Sequence, residues 1–284
     1  MRGSGALAML NRRWSVVNDV SDTVDMFGLR FDRVTLAGAV SQVMAAARSH
    51  NTGLVVTPNV DQVVRFDHDP LMHDVYRSAL HVYADGMPLV WLSRLMGPVG
   101  LSARVTGADL LPAVCAAAAA EGSAVYFFGG DPGVARMAAD RLSEQFRGLK
   151  VAGVSCPPHG FEQDENQSSR LVDDINRSGA DILFLGVGAP KQEKWGHRHL
   201  AKLRVGPVLC VGAAFSFAAG LAQRAPHMIQ NSGFEWAWRL SREPRRLWRR
   251  YLVDDARFFI IAASELQKAR RRRRVAGGTI APTK

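Results

Sequence analysis

The 284-residue chain is 47% hydrophobic and 22% charged, close to the globular average, so a sizeable core is expected. Its three cysteines, Cys115, Cys156 and Cys210, are scattered and form no CxxC, which excludes a disulfide framework or cysteine zinc site and fits a reducing compartment. The net charge of +10 is local, because residues 235–274 hold 13 Lys and Arg against 5 Asp and Glu; an anionic partner at that end of the chain is implied.

In chain order, residues 1–24 read as a leader. Their short apolar run precedes Arg12 and Arg13 and lacks a cleavage site, unlike a signal peptide. No apolar run reaches the roughly 18–20 residues of a spanning helix, so a cytoplasmic protein is expected. TGLVVTPNV (Thr52–Val60) predicts a β-branched strand ending in a Thr-Pro-Asn turn. LHVYADGMPLVW predicts a short strand broken at Asp85-Gly86, and GADLLPAVCAAAAAEG a helix closed by Gly122. SAVYFFGGDPGVARMAADRLSEQF predicts strand, glycine turn and helix. A strand at LKVAGVS, a helix at SSRLVDDINRSG, a strand and helix start in ADILFLGVGAPKQEKW, and a last strand in VGPVLCVGAAFSFAAG complete the pattern. Apolar runs bounded by glycine and alternating with helices predict an α/β fold, Rossmann-like, with a mostly parallel sheet flanked by helices.

After Ser232 the pattern becomes helical, charged and aromatic. At about 100° per residue, Leu247, Trp248, Tyr251, Leu252, Phe258, Phe259 and Ala262 share one side, with Arg246, Arg249, Arg250 and Arg257 opposite. The expected organisation is an α/β core over residues 25–232, a basic helical appendage over 233–274, and a frayed tail in RRRRVAGGTIAPTK, with 275–284 disordered.

Ligands of open α/β sheets bind where the strands end, so the loops after the strands are the places to search. The turn FFGGDPGVA invites a dinucleotide reading, but its spacing is GGxxG and no acid stands at a following strand end. A tight strand-to-helix turn, or a cradle for one phosphate, serves as well. Asp67 and Asp69 of DHD resemble a metal-holding acidic pair yet sit in a helical stretch, where solvated surface is the simpler reading. No His, Cys, Asp or Glu cluster has better metal spacing, so no metal is expected. Asp85 is a carboxylate at a strand end after apolar residues. It is either an Asp-Gly turn or a general base, and burial would raise its pKa towards that work.

Together the segments TPNVDQV, ADGMPLVW, RVTGADLL, FFGGDPGVA, FLGVGAPKQEKW, VGAAFSFAAG and RAPHMIQNSGFEWAWRLSREPRRLWRRYL resemble the WecG/TagA/CpsF family of bacterial glycosyltransferases, from about Thr57 to Tyr251. The resemblance implies inverting transfer, without metal or cofactor, of a hexose or N-acetylhexosamine from a UDP-sugar donor to a polyprenyl-diphosphate-linked sugar acceptor in surface polysaccharide synthesis. It implies peripheral attachment to the anionic cytoplasmic face of the inner membrane, self-association, and an active site completed by the C-terminal appendage. By motif, Asp85 becomes the general base, Thr57 and Asn59 contact the sugar, and Arg104 and Gln192 belong to the nucleotide-sugar site. Arg239, Arg245, Arg246 and Arg249 fall in the appendage motif, where arginine would face diphosphate. Many members carry Phe-Asp where this chain has Phe215-Ser216, so any role of that carboxylate is missing here. A nucleic-acid-binding protein using the arginine and aromatic appendage is the alternative of a different class. A nucleotide-dependent oxidoreductase is disfavoured by the glycine spacing.

Overall fold

The computed structural model describes residues 22–66, 68–226, 228–229, 235–242, 244–249 and 256–277. An antiparallel hairpin comes first, β1 (Thr23–Met26) and β2 (Leu29–Asp32). Six strands then form one sheet: β3 (Gly53–Val56), β4 (His81–Val82), β5 (Ala124–Gly129), β6 (Lys150–Ser155), β7 (Ile182–Gly186) and β8 (Pro207–Cys210). Their order is β4-β3-β8-β7-β5-β6 and every neighbouring pair is parallel. The fold class expected from the sequence is the one observed.

The strands read as unbroken apolar runs because both faces of the sheet are covered. On one face Leu54, Val56, Tyr126, Phe128, Leu183, Leu185 and Val208 pack with Trp195 and Phe161. The intervening Val55, Val125, Phe127, Ile182, Phe184 and Leu209 enter the opposite core. That second core is filled by α1 (Leu36–Arg48), α5 (Gly107–Glu121), α6 (Val134–Gln145) and α9 (Ala214–Ala218). The first is filled by α2 (Val60–Phe66), α3 (Pro70–Arg77), α4 (Met87–Met96), α7 (Glu165–Ser178) and α8 (Lys191–His199). Side-chain period 2 along each strand is what divides the residues between the two layers.

Within the C-terminal pattern the described residues form α10 (Glu235–Arg242), α11 (Pro244–Arg249) and α12 (Arg257–Gly277). Helix α12 runs through the arginine string assigned to a frayed tail; arginine is a good helix former, and the first half of the helix is docked. Phe258 is buried while Phe259 is 77% exposed, so the two, grouped on one side from the sequence, do not share a buried face. Pro244, which has no N–H to give, begins α11.

The hairpin β1–β2 holds α12 in place. Its two-residue turn, Phe27-Gly28, has positive φ at both positions (56° and 75°), as a type I′ turn requires. Phenylalanine tolerates this poorly, and three contacts hold it. The Phe27 N–H donates to Glu265 Oε2 of α12 at 3.1 Å, its carbonyl lies 3.1 Å from His73 Nε2, and its ring packs on Phe258 at a centroid distance of 6.2 Å. Arg257 also meets His68 Nε2 at the start of the helix.

Candidate active site

Two cavities open at the carboxyl ends of the strands. The smaller, about 250 Å³, lies between β5 and β7, where the following chain departs towards β6 on one side and β8 on the other. Such a reversal of strand order is a usual ligand position. It is lined by Gly130, Asp131, His159, Lys191 and Ser216 among others. The glycine turn therefore belongs to a cavity wall, with Gly133 as the left-handed N-cap of α6. Ser216 stands in the same wall.

The larger cavity, about 940 Å³, opens beyond β3, β4 and β8 and adjoins the smaller at Gly188, Gly212 and Ala213. It brings together Thr57, Asn59, Asp85, Arg104 and Gln192, all named from the sequence, with Arg224, which was not. Its size suits a large small-molecule ligand.

Local rules place each side chain. Asp85 follows β4, held where its N–H donates to Pro58 O at 2.9 Å. Gly86 then caps α4 with φ +124°, a conformation that L side chains rarely adopt, so the chain turns sharply and leaves the half-buried carboxyl in the cavity wall. Asn59 exchanges two bonds with Gln62 across the first turn of α2: Asn59 N–H to Gln62 Oε1 at 2.8 Å and Gln62 N–H to Asn59 Oδ1 at 3.3 Å. Its oxygen thus serves the helix, and its amide nitrogen is the group left for a ligand. Thr57 stands in the same loop.

Helix α5 begins at the cavity. Thr106 Oγ1 accepts the Asp109 N–H at 3.1 Å and donates to Asp109 Oδ2 at 2.8 Å. Gly107 lets this helix end approach β8, since a Cβ there would lie 2.9 Å from Val211 O. Asp109 in turn binds two arginines that line the cavity. Arg224 reaches both carboxyl oxygens (Nη1 to Oδ1, and Nη2 to Oδ2 at 3.3 Å), and Arg104 Nη1 lies 3.7 Å from Oδ2. Burial acts to raise the Asp109 pKa, but the hydrogen bond and charge of Arg224, with Thr106 and Arg104, outweigh it and hold the carboxyl below its usual range. The result is a fixed pair of cations oriented by one carboxylate.

Gln192 stands in the first turn of α8, 3% exposed, with Gly212 N–H donating to its Oε1 at 3.1 Å. Apolar wall comes from α4, with Trp91, Leu92 and Leu95, and from the appendage, where Phe258, Phe259, Ala262, Ala263 and Leu266 of α12 line the cavity. Of the motif arginines, Arg245 and Arg249 are exposed on α11 and do not line it. The side chains of Arg239 and Arg246 lie outside the described residues, as does Tyr251. Trp248 is 52% exposed, whereas Trp238 is half-buried beneath Arg242 at 5.7 Å.

Of the DHD pair, Asp67 lies outside the described residues and Asp69 caps α3 while pairing with Lys194. Among the described residues no three His, Cys, Asp or Glu side chains gather as metal ligands, and no helix is long and apolar enough to cross a membrane.

The sequence model of the glycosyl transferase WecG/TagA/CpsF family matches residues 24–274. The chain belongs to that family. It is thus a glycosyltransferase of the kind that acts in cell-surface polysaccharide synthesis, with a sugar donor and a sugar acceptor as substrates. The match runs from Val24 of β1 to Arg274 of α12, so it takes in both sides of the contact at Phe27. Arg224 opens the quoted segment RAPHMIQ, but the sequence alone assigns it no role. Its partner Asp109 is distant in the chain; only the acid three residues after the capping Thr106 hinted at a functional helix start.

Proposed function

We propose that this glycosyltransferase moves a hexose or N-acetylhexosamine, such as N-acetylmannosamine or glucose, from a UDP-sugar to a polyprenyl-diphosphate-linked sugar, inverting the anomeric carbon and using no metal. The observation that carries this reading is the pairing, in one cavity, of Asp85 with two arginines fixed by Asp109, under an apolar helix. Asp85 takes the proton of the acceptor hydroxyl as that oxygen bonds to the anomeric carbon. The carbon–oxygen bond to UDP breaks on the opposite face, its electron pair leaving with the diphosphate. Arg104 and Arg224 offset the charge that develops there, a task for always-protonated, bidentate guanidinium groups in a site shielded from water. Thr57, Asn59 and Gln192 orient the sugars, and the apolar wall of α12 suits a lipid-linked acceptor.

Attachment to the cytoplasmic membrane face belongs to the same reading. Helix α12 exposes Phe259 and Ile260 (77% and 74%) and carries exposed Arg257, Arg271, Arg272 and Arg273. Basic residues near an anionic bilayer contribute about 1 kcal/mol each, and Arg239, Arg245, Arg246 and Arg249 supply further charge for headgroups or substrate diphosphate. The test offers radiolabelled UDP-sugars to the full chain with a short polyprenyl-diphosphate sugar, with and without EDTA. Label entering the lipid phase from one donor, unaffected by EDTA, is expected. No label from any donor overturns the reaction, and a steep loss with EDTA overturns the metal-free step.

A further inference from the structure

The buried Glu193 has no part in the scheme above. It lies in the first turn of α8, 1% exposed, beside Gln192. Consecutive residues of a helix point about 100° apart and do not meet unaided. Here they do: Gln192 Nε2 donates to Glu193 Oε1 at 2.9 Å, and the same oxygen accepts the hydroxyl of Tyr76, itself 1% exposed on α3, at 3.2 Å. Gly212 N–H binds the other end of the Gln192 amide. Because that backbone donor requires an oxygen opposite it, the orientation of the amide is fixed. One Nε2 hydrogen is used by Glu193, and Gln192 itself lines the cavity that also holds Thr57, Asn59 and Asp85.

We propose that Glu193, braced by Tyr76, is the positioning residue that locks the Gln192 carboxamide with one N–H presented to the substrate. The proposal rests on the reading above only in taking Gln192 as a substrate contact. A long side chain with three free torsions makes a poor template for transfer, and misplacement by about 1 Å can cost about 10²-fold in rate. Bonds at both ends of the amide remove that freedom before substrate arrives. Burial raises the Glu193 pKa, and the bonds from Gln192 and Tyr76 pull it only partly back. The pocket therefore tolerates a neutral side chain, which makes Glu193→Gln, still an acceptor, the conservative comparison for Glu193→Met, which has none.

The experiment reads the Gln192 side-chain amide by ¹⁵N relaxation in the full chain, together with kcat and KM. In the wild-type protein and in Glu193→Gln the amide is expected to be rigid, with an order parameter about 0.85. In Glu193→Met it falls below about 0.6. For transfer, Glu193→Met is expected to lower kcat/KM by about 10²-fold, with no further loss when combined with Gln192→Ala, since both remove one function. Should Glu193→Met fail to fold, Tyr76→Phe, which deletes only a hydroxyl, is expected to loosen the amide in the same direction. A Gln192 amide that stays rigid in the variant that folds overturns the positioning role. Losses that add to those of Gln192→Ala overturn it equally. An amide that loosens without change in transfer upholds the positioning and instead removes Gln192 from the substrate site.

Discussion

The two walls of the large cavity are built in opposite ways. The sheet side is polar and tied together before any ligand enters: Asn59 to Gln62, Thr106 to Asp109, Asp109 to Arg104 and Arg224, Gln192 to Glu193 and Gly212. The α12 side is apolar, with Phe258, Phe259, Ala262, Ala263 and Leu266, and is docked through Phe258 and Glu265, with Arg257 meeting His68 at the surface. Groups that stabilise developing charge act best when already oriented. A wall that only excludes water needs shape and can be supplied by a helix docked at a few points. The difference separates chemistry from enclosure.

The sharpest way to break this division is at Asp85. Asp85→Asn removes the proposed base; turnover should fall by about 10²–10⁴ with little change in donor KM. Turnover within tenfold of wild type would move the chemistry elsewhere.

The next largest effect is expected on the other wall. Phe258→Ala removes the buried ring between the hairpin and α12, a change that costs about 3–5 kcal/mol in a packed core. Because α12 is docked locally, amide exchange should quicken in α12 and at Phe27 while β5, β7 and β8 stay protected. Equal loss across the sheet would show that the two walls are one cooperative unit.

The smallest effect concerns the half-buried Asp109 and the buried Glu193, two carboxyls that pull in opposite directions. Asp109 is held below its usual pKa, so its contribution is present above about pH 4 and is lost as pH falls through its folded value. Glu193 is raised, so the folded state binds the extra proton above about pH 4.3. Stability should then decline with rising pH until its folded pKa is passed, by at most about 1.4 kcal/mol per unit. Urea midpoints between pH 4 and 8 should fall in wild type relative to Glu193→Gln. Parallel curves would mean that Glu193 stays ionised.

Much of the polar wall was legible in the sequence because it lies where strand signals end. Val55-Val56 leads to Thr57 and Asn59, Val82 to Asp85, and Leu185-Gly186 to Gln192, each in a loop whose position follows from the parallel sheet. The enclosing wall was not. Phe258 and Phe259, about 100° apart on one helix, are placed on the same side by the sequence pattern although their exposures differ. The hairpin that holds α12 is short, and its turn uses a positive-φ phenylalanine that no propensity favours. Glu193 was visible only as a letter in a motif, because its meaning depends on Tyr76 from another helix.

The latch at Phe27 also orders events in time. Every strand of the sheet has been synthesised once Cys210 is made, whereas Glu265 follows more than fifty residues later, several seconds at about 5–20 residues per second. Asp85, Arg104 and then Arg224 are all synthesised before Glu265, so the residues of the polar wall precede the helix that meets the turn at Phe27. The apolar wall of the cavity is therefore the last part of it to be made, and the polar wall has to be held in place by its own hydrogen bonds until then.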